Sequence, residues 1–214
     1  MKVHFRILSF IILLLCFLFG LFHEENILIE QDEAETEVLS DIPFAREFIQ
    51  WADTVGWRWE WLAAMAYQES KFNPQARSHV GAQGLMQLMP STAAKYGLND
   101  STIFNPADNV RAAALYLLSL RQTFSFISNE DEQRRFVLAA YNGGVAHVMD
   151  ARRLAKRYGR SAYSWYGNTE YWLQRLAEPQ IAADSVVLYG SFNATETTSY
   201  VRKVERSYHK IAQQ

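Results

Sequence analysis

A single cysteine, Cys16, stands in a chain of 214 residues. One thiol cannot build an intramolecular disulfide framework or a multi-cysteine zinc or iron-sulfur site. Histidine is scarce as well: His4, His23, His79, His147 and His209 are scattered, and no two share the close spacing of metal-binding helices. Zinc chemistry is therefore not expected. Basic residues have no surplus, with 21 Lys and Arg against 23 Asp and Glu for a net charge of -2. That balance argues against the whole-surface positive field that holds nucleic acid. Internal repeats are absent, and the one biased tract is a short acidic stretch. What is there, 49% apolar and 21% charged residues, is the composition of a globular protein rather than of a disordered or collagen-like one. The length suits about one domain plus terminal extras.

The charge and the apolar residues are unevenly placed. Lys2 and Arg6 precede a run from Ile7 to Phe22 that only Ser9 and Gly20 interrupt. After it come Glu24, Glu25, Glu30, Asp32, Glu33, Glu35 and Glu37 with no Lys or Arg among them. Basic before and acidic after, residues 1–22 read as a signal anchor or a signal peptide that leaves the rest outside the cytoplasm. Leu14 and Leu15 precede Cys16, which is unlike a lipoprotein site, and the cysteine reads as a small membrane-embedded hydrophobe. Residues 23–40 lack aromatics and read as a solvated acidic linker. The folded domain is expected over 41–214. The net charge is then an average of unlike parts, because residues 38–214 hold 19 basic and 16 acidic residues and are weakly basic.

From Asp41 onward the pattern is helical. Pro43 opens a helix carrying Phe44, Phe48, Ile49 and Ala52 at helical spacing, and Gly56 ends it. A second helix is expected from about Trp59 to Ser70, with Asn73-Pro74 closing it. Short helices are expected around Gln83 to Met89 and Ser91 to Tyr96. Asn105-Pro106 opens a long one with Val110, Ala113, Ala114, Leu117 and Leu118 on its stripe. Others cover Asp131 to Tyr141, Val145 to Tyr158 and Thr169 to Leu176. Val186 to Tyr189 reads as extended, and a last helix of about Glu196 to Ala212 buries Val201, Val204, Tyr208 and Ile211. The expectation is an all-α domain with little or no β-structure.

Within the second helix Leu62, Met65, Ala66 and Glu69 fall at i, i+3, i+4 and i+7, which puts Glu69 on the apolar stripe. A carboxylate there is costly when ionised, and the resulting rise in pKa is what a general acid at neutral pH requires. A glutamate at a frayed helix end that merely turns outward has the same spacing, so this helix alone leaves both readings open.

Four motifs decide between them. Glu69-Ser70-Lys71-Phe72-Asn73-Pro74-Gln75-Ala76-Arg77-Ser78 runs into Gly81-Ala82-Gln83-Gly84-Leu85-Met86-Gln87-Leu88-Met89-Pro90, and later come Ala140-Tyr141-Asn142-Gly143-Gly144 and Glu196-Thr197-Thr198-Ser199-Tyr200-Val201. Together they resemble the catalytic domain of the soluble-lytic-transglycosylase (SLT) family, and the resemblance spans roughly residues 44–209. Tyr141 to Arg153 looks most like the membrane-bound F type of that family, although those relatives usually carry a solute-binding-protein-like domain ahead of the catalytic one. The resemblance implies a goose-type-lysozyme-like fold with a deep substrate cleft, and cleavage of peptidoglycan glycan strands in the cell envelope.

Carried over residue by residue, Glu69 matches the family's single acid/base, and Tyr200 the tyrosine that hydrogen-bonds it from the final helix. Ser70 follows Glu69 and fixes the helix end. Ser78, Met86, Gln87, Tyr141 and Asn142 match substrate-contacting positions, Gln87 by hydrogen bonding and Met86 by packing. Gly81 and Gly84 let the backbone turn and approach the ligand. Ordinary glycosidases use two carboxyl groups. The resemblance implies one, with the muramoyl C6 hydroxyl attacking C1 within the same sugar to leave a 1,6-anhydro end. Neither metal nor organic cofactor is implied. Trp57, Trp59, Trp61, Tyr67, Trp165, Tyr166, Tyr171 and Trp172 are available as sugar platforms, but most are expected in the core. Two other readings remain at this point: a lysozyme-type hydrolase on the same fold, told apart by a product that has gained water, and a non-catalytic peptidoglycan-binding protein.

Overall fold

The structure, a computed structural model, describes residues 42–213. The expected membrane segment, 1–22, and the acidic linker, 23–40, lie outside the described residues. Nine α-helices follow in order among the described residues: α1 Ala45–Val55, α2 Trp59–Ser70, α3 Pro90–Lys95, α4 Pro106–Thr123, α5 Glu130–Gly143, α6 Val145–Arg157, α7 Glu170–Arg175, α8 Pro179–Ala182 and α9 Thr195–Ile211, with a π-helical turn at Trp165–Thr169 ahead of α7. Their ends follow local chemistry. Asn105 Oδ1 accepts the Asp108 N–H at 3.1 Å ahead of α4, and Asn129 Oδ1 accepts the Glu132 N–H at 2.9 Å ahead of α5. Both are N-caps that satisfy otherwise orphaned donors. Gly56 ends α1 in the left-handed conformation, where glycine meets no side-chain clash.

The central element is α2, in which every residue from Glu60 to Ala66 is buried. A helix apolar on all sides belongs inside the fold, and α1 and α9 cover it. Ala63, Ala64 and Ala66 are fully buried, and their small side chains let these neighbours approach closely. The core continues through α4 and α5, where Phe124 packs on Phe136 at 5.6 Å and Phe136 meets Trp165 edge-on at 5.4 Å. Trp57, Trp61, Trp165 and Trp172 are all buried.

α9 is fastened to α2 by Trp61 stacked on Tyr208 at 3.9 Å and by Gln68 Nε2 donating to Ser207 Oγ at 2.6 Å. On its other side Glu205 accepts from Arg135 and Tyr166, and Arg202 pairs with the buried Glu170. These contacts set the register that brings Tyr200 to the end of α2.

Two expected elements are corrected. Residues Gln83 to Met89 are not a helix: β-pairing among the described residues consists of two isolated bridges, Arg77 with Gln83 and Gln83 with Leu88, and they make this segment a folded double turn. Gly84 at φ 82° and Gln87 at φ 47° place two left-handed residues where a helix admits none. Val186 to Tyr189 does not form a strand either, because side chains take its N–H groups. Asp184 Oδ1 accepts from Val186, while the fully buried Asp150 accepts from Leu188 at 2.8 Å and Tyr189 at 2.9 Å. α1 also begins later than its start signal, at Ala45, with Phe44 left-handed before it.

Candidate active site

Glu69 lies in the last turn of α2, where the helix carbonyls already disfavour a second negative charge. Beyond Ser70 the chain leaves through Lys71 and Phe72, two consecutive left-handed residues at φ 55° and 61°. Such conformations are costly for residues with a Cβ. Phe72 holds the bend by packing on Phe48 at 6.3 Å and Tyr67 at 5.7 Å. Glu69 as a whole is half-buried, whereas its carboxyl is surrounded by protein on nearly all sides. Burial pushes the Glu69 pKa from 4.5 to about 8, against a downward pull from Tyr200 and with a smaller upward push from the charge of Glu196. Burial dominates because the ionised form loses its hydration. At pH 7 this carboxyl carries its proton.

Tyr200 reaches the same place from α9. Its hydroxyl is buried without a closed hydrogen bond, and Glu69 is the group it acts on. Long hydrogen bonds of this kind are common in unliganded sites and tighten on binding. Tyr141, from α5, is half-buried; burial and the charge of Glu69 both push its pKa up. Its hydroxyl donates to the Met86 carbonyl at 2.8 Å. Next to it, Asn142 Oδ1 accepts from Thr197 Oγ1 at 2.8 Å, which leaves the Asn142 amide N–H groups free to donate.

The turn of residues 76–88 is tied to this place by Ser70 and Tyr141. Ser78 Oγ accepts the Ala82 N–H at 2.9 Å, so its own proton is available to a ligand. Gly81 turns back on Ser78 at φ 91° with open space around it. Ser70 Oγ donates to the Leu85 carbonyl at 2.7 Å. That bond ties the residue after Glu69 to the turn, in addition to the local bond expected of it at the helix end, which Ser70 Oγ makes to the Ala66 carbonyl at 3.2 Å.

Three sequence expectations change here. Met86 does not face a ligand: it is fully buried, and its contributions are a carbonyl held by Tyr141 and an N–H held by Asn109. Gln87 spends both amide N–H groups on the carbonyls of Gly84 at 2.8 Å and Ala76 at 3.1 Å. Only its Oε1 is left to meet a ligand. Gly84 allows a close approach, but an internal one, since a Cβ at this position would lie 2.5 Å from the Ile103 carbonyl and closer still to Asn109 Nδ2. Glu69, Tyr141 and Tyr200 thus meet, Ser70 and Asn142 adjoin them in sequence, Ser78 and Gln87 stand on the turn that Ser70 and Tyr141 hold, and Met86 and Gly84 are packed inside it. Asn109 and Thr197 join these residues without being among the expected site positions. The available signal was a polar side chain on the buried stripe of its own helix, Asn109 beside Val110 and Ala113, and Thr197 ahead of Val201.

Residues 46–164 match the family model described as transglycosylase SLT domain. The chain belongs to that family. This SLT-domain chain is 39% identical over 168 residues to the membrane-bound lytic murein transglycosylase F of Maricaulis maris, covering 78% of this chain and 36% of that protein. It is 37% identical over 163 residues to the protein of the same name from Desulfosudis oleivorans, covering 76% and 35%. The SLT-domain chain thus spans about a third of the length of these relatives. Among solved structures, the lytic transglycosylase Slt of Pseudomonas aeruginosa aligns with a TM-score of 0.55 at 26% identity, over 80% of this chain and 24% of that one. The 70 kDa soluble lytic transglycosylase of Escherichia coli aligns at 0.53 and 23%, over 82% and 25%, a likeness of fold. The all-α, lysozyme-like architecture is shared with these SLT-domain proteins.

Proposed function

We propose that this SLT-domain chain is a peptidoglycan lytic transglycosylase that acts in the periplasm and is held to the membrane by residues 1–22, with 23–40 as an acidic spacer. The observation that carries the reading is the placement of one buried carboxyl, Glu69, beside the buried Tyr200 hydroxyl, while the other acid whose charge reaches it, Glu196, is exposed. In the proposed reaction Glu69 gives its proton to the oxygen linking N-acetylmuramic acid to N-acetylglucosamine as the bond to C1 breaks. The resulting carboxylate then takes the proton of the muramoyl C6 hydroxyl while that oxygen closes on C1. Protons balance, Glu69 returns to its starting state, and no water is consumed. Because the attacking oxygen belongs to the reacting sugar, proximity supplies much of the rate.

In this reading Tyr200 holds the proton donor, while Ser78, Gln87 Oε1 and the Asn142 amide meet the glycan. Supporting it are the family membership and two relatives named as membrane-bound lytic murein transglycosylases. The test is mass spectrometry of digested murein: anhydro ends are expected, and ends that have gained water would replace the reading with hydrolysis.

A further inference from the structure

The turn that carries Ser78 and Gln87 has no regular secondary structure, so something must hold its shape. Asn109, fully buried on α4, makes three hydrogen bonds at its base. Its Oδ1 accepts the Met86 N–H at 2.8 Å, and its Nδ2 donates to the Ile103 carbonyl at 2.8 Å and, more weakly, to the Gln83 carbonyl at 3.4 Å. Gly84 is bare at the point where this amide crosses. The neighbouring carbonyls are held from the opposite side: Leu85 by Ser70 on α2, Met86 by Tyr141 on α5. Three helices thus grip Gln83, Leu85 and Met86, and α4 does so through this one side chain.

We propose that Asn109 is a positioning residue for the reaction: by clamping residues 83–86 it fixes, through Leu85 and Ser70, how far the turn stands from Glu69, and so keeps water from the carboxyl. It touches no substrate. Loosening the clamp would let the turn move away and hydrate Glu69, and a misplacement of about 1 Å at such a site costs on the order of 100-fold in rate.

The proposal rests on the reading of Glu69 as the acid, and the experiment separates the two. Full-length wild type, Asn109→Ala and the milder Asn109→Ser are assayed on murein across pH, beside Val110→Ala, a buried neighbour on the same helix that is 1% exposed. The expected result is a kcat lowered about 10- to 100-fold in Asn109→Ala and an alkaline limb moved to lower pH, with Asn109→Ser between it and wild type. Val110→Ala should lose melting temperature while keeping the wild-type limb. The substitution leaves the other titratable groups that act on Glu69, namely Tyr200, Tyr141 and Glu196, in place. Amide exchange gives an activity-free readout: residues 83–88 should exchange faster in both Asn109 variants. An unmoved limb with activity lost only in step with melting temperature would make Asn109 merely structural and overturn the proposal. A wild type whose rate shows no limb from Glu69 would instead overturn the functional reading, and this inference with it.

Discussion

Replacing Glu69 with Gln should make the protein more stable, by an amount that grows with pH. In the unfolded chain the carboxyl titrates near its ordinary 4.5, whereas in the fold burial holds it at about 8. Between those values the unfolded state has released a proton that the native state retains, so the unfolded state binds fewer protons and stability falls as pH rises. At about 1.4 kcal/mol per pH unit, the penalty is nothing below pH 4, about 3 kcal/mol at pH 7 and about 5 kcal/mol at pH 8 and above. Gln keeps the shape and the polar end without the ionisation, so it escapes that penalty. Urea titrations of both proteins at pH 4.5, 7 and 8.5 read the difference directly. The two should agree at the acid end and separate by about 3 kcal/mol at neutral pH. Parallel curves across the range would mean that the carboxyl is not desolvated and that the argument from burial fails.

Tyr200→Phe removes the group that pulls the Glu69 pKa down, so the alkaline limb of kcat/KM should move above pH 8 while the rate falls about tenfold or more; an unchanged profile would show that the hydroxyl does not act on Glu69. Gly84→Ala forces a Cβ against Ile103 and Asn109 at φ 82° and should cost about 3 kcal/mol in denaturant titration; a cost near zero would mean that the turn is not clamped there. Thr197→Val leaves Asn142 Oδ1 without its donor and should raise KM for murein fragments more than it lowers kcat, where an equal fall in both would point to lost folding. Asp150→Ala strips the carboxylate that holds Arg153, Leu188 and Tyr189 and should cost about 3–5 kcal/mol, with exchange at 186–189 as the local check.

Elements whose ends are written in their own residues were legible in the sequence. α2 spans Trp59–Ser70 as its pattern indicated, and α5 stops where Gly143 and Gly144 stand. The burial of the Glu69 carboxyl and the approach of Tyr200 to it were legible as well, although α2 is buried on every side from Glu60 to Ala66 rather than along one stripe. The stripe therefore did not single Glu69 out; the motifs did. The segment from Gln83 to Met89 defeated local reasoning because its shape is imposed from afar. Its bonds come from Ser70, Asn109 and Tyr141, which stand 15, 23 and 55 positions from their partners. No apolar periodicity encodes such bonds. For the same reason Met86 and Gln87 are expected to face a ligand, whereas Met86 is fully buried and Gln87 turns both amide N–H groups inward.

In the proposed reaction one buried carboxyl, Glu69, carries the chemistry without water. This is tested most directly by mass spectrometry of the fragments that the full-length protein releases from purified murein, with Glu69→Gln in parallel. Fragments ending in 1,6-anhydromuramic acid are expected from wild type and none from the variant. Fragments with hydrated reducing ends, or equal release by Glu69→Gln, would contradict it.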